Sequence, residues 1–417
     1  MAASSRLKQM VNLLSQERET ALAMENLHVS LLHVTNCILL FFSQRRKMSK
    51  TVILQLFGTC FLICVLASCR NAQKQAQPTL VDITKKGNLS DFFGEYTYVV
   101  LETTKESIVP DPIKAIRVTD RYISLLAKQE IIIFDTNGCY KGKICHQGHG
   151  NHEYLGIEDF QLNNDTLWIL SRVDKKLLSY TISDVFLDEI KLNDAYSKMA
   201  FIDEHRLFLA STNANSQKFN FVLYDTKEDK ILNRFDPFDK NESIVFDFPS
   251  FIGKGENCLY VTHPFDASVY RLTQNGCTLQ NSYKFNTRRQ LPDESSFMKL
   301  YEASMNVNVV RNLSVYYEHE GRQLLSFPLF GEYGITDRLV KFVNNEQTAF
   351  YSILETVDKD FPYLSKPYGI YNGNLISVMS AGTILYIENE NGLHKFKDAG
   401  IKEEDNPVVF LHRITLN

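Results

Sequence analysis

Residues that usually announce chemistry are scarce in this chain. It has one tryptophan, Trp168, and eight cysteines in 417 residues. Only Cys139, Cys145, Cys258 and Cys277 lie beyond the N-terminal region, without a CxxC pair or zinc-ribbon spacing. That removes the zinc-ribbon pattern and leaves disulfide connectivity open. No Gly-x-Ser-x-Gly elbow occurs, which removes the hydrolase nucleophile turn. No glycine-rich phosphate loop precedes a helix pattern. Neither sign of charge dominates: the formal net charge is −4, so nothing points to nucleic acid. Long apolar runs are confined to the first 70 residues.

That N-terminal region reads as targeting sequence. Arg45, Arg46, Lys47 and Lys50 flank Met48, and the apolar run TVILQLFGTCFLICVLASC ends at Cys69. A basic region, a short apolar region and small residues before a cut site form a secretory signal. Leu66-Ala67-Ser68-Cys69 resembles the bacterial lipobox, which implies cleavage before Cys69 and a diacylglycerol on its thiol. A transmembrane helix would need ~20 apolar residues, and this run is at the short end. Met48 is a better start than Met1, so residues 1–47 read as a misassigned upstream extension. Their apolar patch Leu31–Phe42 is the basis for the alternative, a further membrane segment. Residues 48–68 are then the signal peptide. Residues 69–78 (CRNAQKQAQP) lack apolar periodicity and form a flexible tether. The folded part spans 79–417.

A repeat organises that part. Short β-branched or alternating runs are broken by turn residues, as in AIRVTDRYISLLAKQEIIIFDTNGCYKGKI, where Asn137-Gly138 predicts a type I′ hairpin. The same unit returns over Asp159–Leu192, Ala200–Phe235 and Ser250–Phe285, and more weakly over 305–355 and 366–396. Third-strand anchors Phe134, Tyr180, Tyr224 and Leu272 are 46, 44 and 48 residues apart. Four strands per unit with a period in the forties predict an all-β, six-bladed β-propeller of four-stranded antiparallel blades. A two-sheet sandwich would also have short strands, but it predicts no constant step. Helix is expected only near Leu291–Met305, with Asp293 as cap.

Three further stretches carry a resemblance. LSDFFGEYTYVVLETT (Leu89–Thr104), GHGNHEY (Gly148–Tyr154) and KEEDNPVVFLHRI (Lys402–Ile414) occur in order along the folded part. With the lipobox, they resemble the six-bladed β-propeller lipoproteins of the Bacteroidetes lineage, distantly similar to NHL-type propellers. His149 and His152 depart from that family's loop. The resemblance implies no assigned activity, so no catalytic residue is carried over.

CHQGHGNHEY (Cys145–Tyr154) is the densest ligand-bearing stretch. Zinc would accept its imidazoles, thiolate and carboxylate. However, Gly148 and Gly150 oppose a helix, and a loop brings such ligands together only if it folds for that purpose. The favoured reading is a turn opened by the glycines and anchored by Glu153 and Tyr154. His146, His149, His152, Glu153 and Tyr154 stand as a binding-loop candidate, without a metal or cofactor. Phe93–Tyr96 and Phe330–Tyr333, both Phe-Gly-Glu-Tyr, read as turns. Most of the 28 Phe and 20 Tyr are expected in the core. Pro264–Leu272 and Phe361–Ile370 are the better candidates for rim contacts.

Two functions remain in view. The first is a non-catalytic, lipid-anchored envelope module that binds a protein, peptide or glycan. The second is a metal-dependent hydrolase or lyase using the central channel, which requires His146, His149, His152, His263 and His319 to converge. Arg70 after Cys69 is not the inner-membrane retention aspartate, which predicts the outer membrane. The tether lacks an acidic cluster, which favours the periplasmic face.

Overall fold

The computed structural model describes residues 77–211, 218–237, 250–287, 297–304, 309–331, 334–353 and 361–415. The extension, the signal, Cys69, most of the tether and Asp293 lie outside the described residues. Among the described residues no helix is long and apolar enough to cross a membrane.

Two strands precede the first blade, β1 (Thr79–Val81) and β2 (Phe93–Val100). Blade 1 is β3 (Ile113–Val118), β4 (Tyr122–Ala127), β5 (Glu130–Asp135) and β6 (Tyr140–Ile144). Blade 2 is β7 (Asp159–Asn163), β8 (Thr166–Ser171), β9 (Lys176–Thr181) and β10 (Phe186–Lys191). Blade 3 is β11 (Tyr196–Phe201), β12 (Arg206–Ser211), β13 (Phe219–Asp225) and β14 (Lys230–Pro237). Blade 4 is β15 (Ser250–Gly255), β16 (Cys258–Thr262), β17 (Ser268–Thr273) and β18 (Gly276–Phe285). Short helix α1 (Phe297–Ser304) leads to blade 5: β19 (Val315–His319), β20 (Arg322–Gly331), β21 (Gly334–Val343) and β22 (Glu346–Ser352). Blade 6 starts with β23 (Pro367–Tyr371) and β24 (Asn374–Met379). Helices α2 (Ala381–Asn391) and α3 (Lys395–Asp398) follow, and β25 (Val408–Ile414) ends the described chain. This is the six-bladed, four-stranded propeller that the period predicts.

Each strand's sequence follows its depth in the ring. Ile131, Ile132, Ile133 and Phe134 of β5 are all fully buried, because a middle strand packs against a neighbouring blade on both faces. Outer strands need only one covered face, and β14 (KILNRFDP) is correspondingly polar. Apolar clusters join each adjacent pair of blades, including blade 6 to blade 1 through Val378, Val409, Ile123 and Ile132. Each sheet's two faces are thereby buried in a closed ring.

Blade 6 corrects part of the sequence reading. Residues 366–396 supply only β23 and β24; the sheet order is β2-β25-β24-β23, so its outer strands come from the two ends of the chain. Ala381–Asn391, expected as strand, is a helix. Ser380 Oγ accepts the Thr383 N–H at 3.2 Å, and Gly392 closes the helix at φ 66°. Buried Ala381, Ile384 and Glu388 lie on one face, at spacings of three and four. The Glu388 carboxylate accepts from Tyr363 Oη, Phe396 N and Lys397 N at 2.8–2.9 Å, which fastens α3 to α2. Burial works to raise the pKa of that carboxyl, but these hydrogen bonds outweigh it and hold it below the usual range.

Three local expectations also change. Phe93–Tyr96 is strand, not turn: Phe93 pairs with Ile414 and Tyr96 with His412, and the register shift between them absorbs Gly94-Glu95. Phe330–Tyr333 does fall where the chain reverses: Gly331 pairs with Gly334 at the junction of β20 and β21, and Glu332 and Tyr333 lie outside the described residues. At Asn137-Gly138 only Gly138 has positive φ, 87°, so the hairpin is not type I′. Finally, β1 adds a parallel fifth strand to blade 4, with Thr79 opposite Tyr283.

His412 in β25 predicts an acid sensitivity. It is fully buried, with Nε2 3.0 Å from Ser377 Oγ and the Phe93 ring 5.4 Å away. Burial lowers its pKa to about 3. The unfolded chain, with His near ~6.5, therefore binds more protons between those values, and stability falls as pH drops through that window. By pH 5 the loss from this group is about 2 kcal/mol. His412→Gln should shrink the pH 7-to-5 fall in urea-unfolding free energy by that amount. An unchanged fall would remove His412 as its source.

Candidate functional site

The six inner strands β3, β7, β11, β15, β19 and β23 surround a channel. One mouth is a cavity of about 710 Å³ lined where inner strands begin, by Lys114, Lys198, Ser250, Ser314, Lys366 and Tyr368. A second cavity, of about 700 Å³, is lined where they end, by Asp120, Phe201, Gly255, Tyr317 and Tyr371. Arg117, Lys198, Ile252 and Tyr368 line both, so the two cavities meet at these residues.

An ion pair at the waist ties three blades together. Asp159, only 1% exposed, accepts from Arg117 Nη2 at 2.7 Å and from Met199 N at 3.0 Å. Arg117 is from blade 1, Asp159 from blade 2 and Met199 from blade 3. Gln161 Nε2 donates to Met199 O at 2.9 Å beside it. The charge buried at Asp159 is thus paired and hydrogen-bonded.

Lysine chemistry dominates the first mouth. Lys114 and Lys366 are exposed and Lys198 is half-buried. Lys366 Nζ lies 5.6 Å from the Tyr368 ring centroid. Asp337 is the one acid among the described residues of this lining. Burial raises the pKa of its carboxyl above the usual range, opposed by Lys366 and Arg338. His263 also lines the mouth, its Nε2 3.0 Å from Asp236 Oδ2. Burial works to raise Asp236, but the hydrogen bonds from His263 and Asn220 hold it below the usual range.

The loop Cys145–Tyr154 lies elsewhere, against the flank of blade 2. His146 Nε2 is 2.6 Å from Asp184 Oδ1, and its ring stacks on Tyr180 at 5.4 Å. His152, at φ 65°, stacks on Phe186 at 3.7 Å, and its carbonyl accepts from Tyr180 Oη. His149 is exposed. Tyr154 is fully buried: its Oη donates to Gln129 O and accepts from His146 N, both at 3.0 Å. Burial raises that phenol's pKa far above its ordinary value. Glu153 folds back to accept from Gly150 N at 2.6 Å. The loop is a brace between blades 1 and 2.

A Cβ at Gly148 would lie 2.0 Å from Glu153 Oε2, the tip of a flexible side chain that would have to swing away. Gly148→Ala should push that carboxylate off the Gly150 N–H and cost about 0.5–1.5 kcal/mol in urea unfolding, the worth of one hydrogen bond. His149→Ala, at an exposed position, should stay within about 0.5 kcal/mol of the parent.

The histidines do not converge. His263 is at the mouth, His146 and His152 are on blade 2, and His319 is exposed in blade 5 with Glu320 at 4.0 Å. Among the described residues no group of three His, Cys, Asp or Glu could hold a metal ion. The channel-metal reading loses the ligand pool it required. The expected rim loops divide. His263-Pro264 and Lys366–Tyr368 do line the mouth, but Val269 and Leu272 are core, and so are Phe361 and Tyr363. Lys114, Lys198, Asp337 and the Arg117–Asp159 pair went unnoticed in the sequence. Their signal was a lysine at or just ahead of an inner strand in three units: IKAIRV, YSKMAF and SKPYGIY.

The model of DUF4934, a domain of unknown function, matches residues 78–413. The chain belongs to the DUF4934 family. Its matched span covers every blade and both chain ends that complete blade 6. A candidate exported protein from Bacteroides fragilis NCTC 9343 shares the fold at TM-score 0.64 and 18% identity, covering 81% of this chain and 100% of its own. A DUF4221 family member from Bacteroides vulgatus ATCC 8482 aligns at TM-score 0.49 and 10% identity, covering 78% and 98%. No curated protein matches the chain.

Proposed function

We propose that this DUF4934 protein is a non-catalytic binding module of the cell envelope, anchored by lipid on Cys69, whose ligand site is the lysine-lined channel mouth. The observation that carries this is convergence: Lys114, Lys198 and Lys366 come from three different blades to one open cavity. A rigid ring that gathers polar groups from separate elements in a concavity is the usual form of a ligand site. The lipobox supports the anchor, and the exported neighbour of the same fold is consistent with it. Arg70 supports the outer membrane, with the periplasmic face favoured by the non-acidic tether. The ligand on this reading is an envelope protein, peptide or glycan.

Photocrosslinking in intact cells tests it, using the full chain with a reactive residue at Lys366 or, as control, at exposed Lys191 on the outer edge of blade 2. Adducts from Lys366 and not from Lys191 support a mouth site. Adducts from neither, or equally from both, would overturn it. Cys69→Ala should move the protein from the membrane fraction to the soluble fraction; retention would remove the lipid anchor. Protease treatment of intact cells should leave the propeller in place, and its ready release would put it on the cell surface.

A further inference from the structure

We propose that the first mouth takes a ligand carrying two or more carboxylate or phosphate groups, seated among Lys114, Lys198 and Lys366. This rests on the binding-module reading and gives its ligand a chemistry.

Charge at the mouth runs against the charge of the whole. The chain is net negative at −4, yet the described residues of this lining include Lys114, Arg117, Lys198 and Lys366 and one acid, Asp337, while His263 there is paired with Asp236. Arg117 is already matched by Asp159. Among the described residues the three lysines form no ion pair. Asp337 is the counter-charge on this lining, with Lys366 and Arg338 acting on its carboxyl. Lys114, Lys198 and Lys366 bring three positive side chains from three blades to the lining of one concavity. An anion between them is attracted by all three, and low-dielectric walls focus the field into the cleft.

The second mouth provides an internal contrast. Its lining has Asp120 and Asp159 beside Arg117, Lys198 and Lys254, so its charges nearly balance. Tyr371 also donates a hydrogen bond to Asp120 there. The channel is therefore electrically polar, with one basic end. Around that end lies an acidic rim on blade 6, lined by Asp111, Glu403, Glu404 and Asp405, just beyond Tyr368.

The residue type narrows the ligand. Lysines present point charges on mobile stems, whereas arginines present rigid forks. A single exposed lysine–carboxylate contact contributes about 0–1 kcal/mol. Useful affinity here needs several charges on one ligand, spaced to reach more than one blade. Phosphate and carboxylate sources share this chemistry, and the probes separate them.

Isothermal titration of the full chain with tripolyphosphate and with citrate, at low and at physiological salt, tests the proposal. One or both should bind with Kd below about 1 mM, more weakly as salt rises. Binding of tripolyphosphate alone assigns a phosphate ligand, and binding of citrate alone a carboxylate one. Lys114→Ala/Lys198→Ala/Lys366→Ala should weaken binding at least tenfold, while Lys191→Ala leaves it unchanged. Lys366→Gln alone provides a milder variant, expected to weaken binding several-fold, with Trp168 fluorescence confirming that both variants fold as the parent. Binding of neither probe, or equal binding by the triple variant, overturns the proposal. If mouth crosslinks form while neither probe binds, the anion chemistry fails and the binding-module reading stands.

Discussion

Asp159→Ala is expected to cost about 3 kcal/mol, read as a fall in the urea midpoint followed by Trp168 fluorescence. Breaking a buried ion pair by removing one partner typically costs about 3–5 kcal/mol, because the other charge is left without compensation. Asp159 is almost fully buried, but Arg117 keeps 26% of its side chain in water, which places the loss at the lower end. The variant also strips the Met199 N–H of its acceptor, so the damage reaches blade 3 as well as blade 1. Asp159→Asn keeps an acceptor for Met199 and should cost less, about 1–2 kcal/mol. The coupling is testable. Arg117→Gln combined with Asp159→Asn should cost less than the two single changes together, since each removes the same pair. A strictly additive result, or a neutral Asp159→Ala, would show that the waist is held by packing alone.

That waist also shows where sequence reading reaches its limit. The blades were legible because middle strands such as Glu130–Asp135 are apolar on both faces and recur at a near-constant step. The ring was legible for the same reason, since no blade can bury two faces alone. Asp159 and Arg117 are 42 residues apart and sit in strands that look half-polar. Their pairing depends on where two inner strands meet at the axis, which no local pattern encodes. Helix α2 was misread because TILYIE has the β-branched look of a strand. Its true signals were Ser380 before it and Gly392 after it, with buried positions at helical spacing. The histidine loop was legible as a glycine-opened turn. That its rings would lie flat on Tyr180 and Phe186 was not, because those partners belong to the next blade.

Ring closure carries the second large effect. Phe410→Ala should destabilise the protein by about 3–5 kcal/mol, the usual cost of emptying a large core aromatic site. Phe410 is fully buried in β25, stacked on Tyr363 at 5.3 Å and edge-on to Phe396 at 5.9 Å. It thereby holds α3 and the segment before β23 onto the sheet. The same strand pairs on one side with β24 and on the other with β2, so the first and last parts of the propeller meet at this site. Trp168 lies in β8 of blade 2, separated from blade 6 by blade 1, and is the chain's single tryptophan. It therefore reports on unfolding at a distance from the substitution. If closure makes the six blades one cooperative unit, Trp168 fluorescence and far-UV circular dichroism will lose their signals together, both shifted by the full amount. If blades 1–3 stand independently, the Trp168 transition will stay where it is in the parent while the dichroism transition splits. Tyr386→Ala, on the exposed side of α2 at 66% exposure, is the matched aromatic truncation outside the core. It should move neither probe by more than about 0.5 kcal/mol. A Trp168 transition shifted as far as the dichroism transition would mean that blade 2 is held in place by strands from the two ends of the chain.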